Sequence, residues 1–396
     1  MASTSRPVLI GAISAALWFM PGCGFKIGNI LGGPIVCNTC PPSNTNFIYT
    51  ANAAGSPSTV SALSANATTG ALTAIASPYG TGTQSLALAT DPSRSFLYVA
   101  NAQSSNIGAF AINGGTGALG VIANSPFPAE LGMDSLVVDP LSGQFLYAVT
   151  GSSEKLWAYS INNSTGALTR LSGTPMAIAP SGTNSSSVVI DPTGKYLYVT
   201  NETSGAGGAS IYGFSRDPSS GAFTPLGGFP LAVDGLANTS VFDRTGTFLL
   251  VTGTNVFGTN GGIDVFNFNS STGALNLSAG SPVQVGDGPA GIVVDGSGNF
   301  VYVPNTADVS ISAFTLDKAT GGLTTISGSP FPSGGKGSIN GPLGITADSG
   351  AHVYVCNASN DISVFTSNFA TGALMPITGS PFPDGGKAPS VIIFVQ

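Results

Sequence analysis

Charged side chains are scarce in this chain of 396 residues: Asp, Glu, Lys and Arg together make up 7% of it. Eleven basic residues stand against eighteen acidic ones, giving a net charge of −7, and no basic cluster occurs anywhere. That excludes a nucleic-acid interface, because a phosphate backbone is bound chiefly through Lys and Arg. Histidine is nearly absent too, with His352 the only one. A triad needs its base, and His or Cys metal centres need several ligands, so neither chemistry is supported. No spaced Asp/Asn loop closing on a bidentate Glu is present. No cofactor is expected, and a structural Ca²⁺ held by acidic loops stays open as the one exception. Long hydrophobic runs are missing as well. The apolar stretch Val8–Met20 has thirteen residues, too few to span a bilayer.

What is present is hydrophobic and periodic. Apolar residues make up 42% of the chain and alternate in short runs, so the low charge does not signify disorder. Hydroxyls and amides take the place of charges on the polar faces. One phrase recurs seven times, at Phe47–Asn52, Phe96–Asn101, Phe145–Thr150, Tyr196–Asn201, Phe248–Thr252, Phe300–Asn305 and His352–Asn357. A period of about fifty residues, filled with strand-like runs and Gly, Pro, Asn and Asp turns, specifies a β-propeller.

Four strand patterns recur in each period. A short apolar run ends in Asp (Leu136–Asp139, Val188–Asp191), and the aromatic phrase follows it. An alternating run comes third (Ile107–Ile112, Ile311–Leu316). A fourth follows a Thr-Gly-Ala-Leu turn (Thr116–Leu119, Thr165–Leu168, Thr272–Leu275, Thr371–Leu374) and ends near Ser-Pro-Phe. Asp191-Pro192-Thr193-Gly194 has the residues a type I turn prefers, and Asp recurs at this place in six periods, which assigns these carboxylates to structure. The chain enters at the second pattern, Phe47, and leaves through a first pattern, Ser390–Phe394. The expected fold is therefore all-β: a seven-bladed propeller of four-stranded antiparallel blades over residues 47–396. The C-terminal strand should pair with the N-terminal three strands and close the ring.

Upstream, residues 1–22 read as a signal peptide, with Arg6 as its positive flank. Met20-Pro21-Gly22-Cys23 resembles a bacterial lipobox, which makes Cys23 the lipidation site. Residues 23–46 then form a tether. Within it, Cys37 and Cys40 lack a βαβ context for redox work and a second pair for zinc, leaving an oxidised local loop. Cys356 falls on a strand as a small buried hydrophobe. The expected location is the bacterial cell envelope, lipid-anchored at the outer membrane or periplasmic face, or else secreted. Contact with the membrane is through the anchor only.

One face of such a ring gathers the loops after the second strands and the links between blades, around the channel mouth. Its charged candidates are Glu130, Asp134, Glu154, Lys155, Glu202, Asp234, Asp287, Asp308, Lys336, Asp361 and Lys387. Of these, Asp134, Asp234, Asp287 and Asp308 are expected to bind. The longest loops on this face are Glu202–Ser210 and Gly253–Gly262. His352 begins a second strand and should lie toward the opposite turn.

Tyr198–Asn201, Asp191–Gly194 and the Thr-Gly-Ala-Leu turns resemble the lactonase-like seven-bladed propellers, the group around 6-phosphogluconolactonase and the YVTN surface repeats. The resemblance covers residues 47–396 and implies lactone hydrolysis at the loop face. Glu202 matches the family's glutamate in an Asn-Glu step, and Glu154-Lys155 falls where an Asp-Arg pair stands. Asp134 replaces a histidine, and Ser186 and Ser187 stand in place of Arg and His. Glu202 is then the candidate base and Lys155 the candidate oxyanion partner. With those replacements, the sequence favours a non-catalytic binding module for a glycan, peptide or envelope protein. Its alternative is a lactonase-like hydrolase acting on a small lactone, for which Glu202, Lys155 and Glu154 are the catalytic candidates.

Overall fold

Each period folds into one antiparallel sheet, and seven such sheets follow one another around a ring. The computed structural model describes residues 45–396 except 76–77, 152, 179–183, 203–208, 258 and 336–340. Residues 1–22, most of the 23–46 tether, Cys23, Cys37, Cys40 and Lys336 thus lie outside the described residues. Every element among those residues is a strand.

Blade 3 shows the pattern. An inner strand, Asn184–Ile190, pairs with Tyr196–Glu202, which pairs with Ser210–Arg216, and the outer strand follows in two pieces, Phe223–Pro225 and Leu231–Ala232. Blade 1 (85–128), blade 2 (133–177), blade 4 (236–287), blade 5 (293–332) and blade 6 (342–383) repeat it. Blade 7 is composite. Its inner strand, Pro389–Val395, pairs antiparallel with Thr45–Asn52, and Thr59–Asn66 and Leu72–Ala74 complete the sheet. The inner strand from the C-terminal end also packs beside the inner strands of blades 1 and 6, which closes the ring. Asp384 reinforces the closure: Thr50 and Ser61 of blade 7 both donate to its buried carboxylate at the tail of blade 6.

The repeated residues have identifiable work. The six turn aspartates accept backbone N–H groups from their own turns. Asp191 takes Lys195 and Tyr196 at 2.9 and 2.6 Å, and Asp295 takes Asn299 and Phe300 at 2.9 and 2.8 Å. The serine of Ser-Pro-Phe sits where the outer strand breaks. Its hydroxyl accepts the third-strand N–H left over there, as Ser125 does from Ala109 at 2.8 Å and Ser380 from Val364 at 2.9 Å.

The second-strand tyrosine is fully buried, and its hydroxyl crosses to the next blade. It donates to the carbonyl of the glycine in the Thr-Gly-Ala-Leu turn: Tyr49 to Gly117 (2.8 Å), Tyr98 to Gly166 (3.0 Å) and Tyr198 to Gly273 (2.7 Å). Glycine is needed at Gly273 for two reasons. Its φ is +74°, and a Cβ would lie 2.5 Å from the Tyr196 ring. The two commonest motifs of the sequence are therefore the halves of one inter-blade latch. Each buried aromatic adds about 1.5–3 kcal/mol of burial. In blade 6 the Tyr354 hydroxyl donates instead to Asp348 Oδ2 of its own blade, and blade 4 departs further from the pattern. Leu250 replaces the tyrosine, and the expected loop 253–262 is instead a continued hairpin formed by Phe248–Phe257 and Asn260–Phe268.

Candidate active site

The inner strands do not begin cleanly. In six blades the register slips by one residue at the loop face, leaving Leu86, Asp134, Ser186, Leu343 and Ser390 unpaired singly and Asn238 together with Thr239 in blade 4. A bulge re-aims the side chain it carries, here toward the seam with the next blade. Ser186 donates to Ala237 O at 2.9 Å, and Ser390 donates to Ser85 O at 2.8 Å. Asp134 is the charged member of this set.

Asp134 meets the start of blade 3. Its carboxylate lies beside Gly151 and Asn184, and it feels the charge of Glu202 at the end of blade 3's second strand. Burial, helped by Glu202, pushes the Asp134 carboxyl up to about 6, against a pull downward from the Gly151 N–H. Glu202 is also raised by burial, while Asn184 Nδ2, donating to Glu202 Oε2 at 3.3 Å, pulls it down. Asn184 is paired opposite Glu202 and is exposed, so its amide is open to a ligand. The site thus has two carboxylates from neighbouring blades, both held above their ordinary range, with a carboxamide between them.

The other sequence candidates lie elsewhere. Lys155 starts the third strand of blade 2 and forms an ion pair with Glu130 at 2.7 Å. Glu154 is buried at a positive φ, and its charge acts on the Tyr212 phenol. The Lys155 ammonium is thus engaged by Glu130, and the carboxylate that acts on Asp134 is Glu202. Asp234 and Asp264 form a second acidic pair, in which Asp264 Oδ2 accepts Asp234 N–H at 3.2 Å. Asp287 and Asp308 form a third, with Asp308 Oδ2 accepting Asp287 N–H at 2.7 Å. Asp361 is buried and accepts the Asn357 amide at 2.8 Å. Ser187 pairs with Ser240 across blades 3 and 4 at 3.2 Å. His352 lies at the opposite end of its strand, with Nδ1 2.7 Å from Asp348 Oδ2. Cys356 is buried and free, its thiol pushed up by burial.

No group of three or more His, Cys, Asp or Glu that could hold a metal occurs among the described residues. Two shallow grooves, of about 100 and 310 Å³, run between the outer parts of blades 2 and 3, away from the carboxylate pair. Sequence reading did not find Asn184, Asn238 or Gly151. Asn184 had no periodic signal, and Asn238 lies in a bulge that the repeat pattern does not show.

The family described as Lactonase, 7-bladed beta-propeller matches residues 41–125, 116–288 and 259–386. Two solved structures of candidate 6-phosphogluconolactonases, from Bacteroides uniformis and Bacteroides fragilis, superpose with TM-scores of 0.73 and 0.71 at 18% and 19% identity. These alignments cover 89% and 90% of this chain and 99% of each of the others. The periplasmic gluconolactonase of Pseudomonas aeruginosa gives 0.65 at 18% identity, over 89% of this chain and 99% of its own. At such identities the likeness is one of fold. No curated protein matches the sequence.

Proposed function

The chain belongs to the seven-bladed β-propeller lactonase family, and from that premise we propose that it hydrolyses a lactone at the mouth between blades 2 and 3. This reverses the order expected from the sequence, where a binding module came first. The observation that carries the reading is the Asp134–Glu202 pair across the blade seam, with Asp134 held at about 6. A carboxylate in that range is ionised near neutrality and still basic enough to take a proton from water.

Asp134 is the base in this scheme, a role the sequence suggested for Glu202. Water attacks the lactone carbonyl carbon as Asp134 takes its proton. Asn184 is the donor placed for the resulting oxyanion. The ring C–O bond then breaks, and the proton passes from Asp134 to the departing ring oxygen, leaving a hydroxy acid. Glu202 raises the basicity of Asp134 and orients Asn184 through their 3.3 Å contact.

The substrate is an uncharged lactone. Phosphate is best gripped by arginine, and the described arginines are placed elsewhere. Arg94 and Arg244 are in Asp turns at the opposite face, Arg170 lies over Trp157, and Arg216 is paired with Asp139. The acidic pairs on the loop face would also repel a phosphorylated substrate. Ring opening of glucono-δ-lactone and of its 6-phosphate, followed by proton release, tests this. Turnover of the neutral compound above its spontaneous rate is expected. Preference for the phosphate would refute the substrate class, and no turnover of either would refute hydrolysis.

The absence of His and Arg from the mouth among the described residues favours the second reading, a module binding a glycan, peptide or envelope protein. Export and attachment through Cys23 belong to the proposal too, supported by Arg6, the Val8–Met20 run and Gly22 before Cys23. Acyl-chain incorporation that survives Cys23→Ser would rule out the anchor.

A further inference from the structure

Resting on that reading, we infer that Gly151 is a positioning residue of the site, seating Asp134 through its lack of a side chain. Gly151 directly follows the second strand of blade 2. The other blades carry a residue with a Cβ at this place: Ala53, Ala102, Glu202, Thr254, Thr306 and Ala358. Backbone bonding confirms the equivalence. The N–H groups of Ala102, Gly151, Thr306 and Ala358 donate to Gln84, Gly132, Gly288 and Gly341, at 2.8, 3.0, 2.8 and 3.2 Å.

Backbone conformation does not demand glycine here, because Gly151 has no φ in the left-handed region. Space does. A Cβ on Gly151 would lie 2.0 Å from Asp134 Oδ2 and 2.3 Å from Asn184 Oδ1. The volume a methyl group fills in other blades is occupied by the carboxylate and the carboxamide. Two departures from the repeat therefore coincide in one blade, a charged bulge residue and a glycine at the strand exit. Blade 3 shows the converse, with the small Ser186 at its bulge and the long Glu202 at its exit. Together the two arrangements make both carboxylates converge on one seam.

Gly151→Ala in the full chain is the test. On a neutral lactone, kcat should fall on the order of 100-fold with little change in KM, as misplacement of a reacting group predicts. The acidic limb of the pH profile should shift with it. A stability cycle reads the same claim without needing turnover, and so separates its failure from failure of the hydrolase reading. Gly151→Ala should lower Tm in the wild-type background. It should cost little beside Asp134→Ser, where only the exposed end of Asn184 has to swing aside. Equal Tm losses in the two backgrounds would overturn the inference, as would wild-type kcat and pH limb in Gly151→Ala.

Discussion

Asp134 and Glu202 come from adjacent blades yet act on each other: the Glu202 charge helps keep the proton on Asp134. A pair so coupled titrates as a unit. Lactone turnover should therefore rise with pH through about 6, where the Asp134 carboxyl loses its proton. Glu202→Gln removes the repelling charge, so the acidic limb should move to lower pH and the weaker base should turn over more slowly at neutrality. A pH–rate profile decides this, and an unmoved limb would detach Glu202 from the base.

Asp264 carries the same linkage into stability. It is 4% exposed, its Oδ1 has no hydrogen-bond partner among the described residues, and burial with Asp234 nearby raises its carboxyl to about 6. The folded state thus holds this proton more tightly than the unfolded chain. Its contribution to stability is present in acid and is lost as pH rises from about 4 to about 6. Asp264→Asn removes a buried charge, so it should stabilise the protein at pH 7 by up to about 3 kcal/mol. It should also flatten that pH dependence, which urea unfolding at acid and neutral pH would measure.

Asp139 and Arg216 work in the opposite sense. Burial pushes the Asp139 carboxyl up, but Ser142, the Leu141 N–H and Arg216 together hold it below the ordinary range. Stability from this group is present above the unfolded value and lost as pH falls through the folded one. Both side chains are fully buried and 2.6 Å apart, and Arg216 also donates to Tyr147 Oη and Gly194 O. Arg216→Ala leaves a buried carboxylate without its counter-charge and should cost about 3–5 kcal/mol by denaturant unfolding.

Tyr198→Phe keeps the ring and removes only the donor to Gly273 O. A loss of about 1–2 kcal/mol is expected, because the buried carbonyl is left unsatisfied. The same change at residue 302, whose hydroxyl donates to Gly372 O at 2.8 Å, should cost a similar amount. Unchanged unfolding midpoints in both variants would show that the latch does not hold the blades.

The ring was legible because its rules are local and repeated. Tyr98, Asp191 and the Thr-Gly-Ala-Leu turns each sit at a fixed phase, and Ser390–Phe394 announces the missing inner strand. The site was legible only in pieces. Glu202 was marked by resemblance and Asp134 by a replacement, but their meeting depends on a bulge and on how two blades abut. Lys155 looked available because Glu130, 25 residues earlier, was not known to take its ammonium. Arg216 gave no signal at all, since Asp139 lies 77 residues away in sequence. Such contacts belong to the closed ring, and no run of residues spells them out.

Hydrolysis of neutral sugar and aliphatic lactones by the purified protein, beside Asp134→Asn and Glu202→Gln, tests the central claim most directly. Turnover above the spontaneous rate is expected, falling about 100-fold or more in Asp134→Asn with the fold intact. A folded wild-type protein that opens none of them, or an Asp134→Asn variant that works as well as wild type, would contradict it.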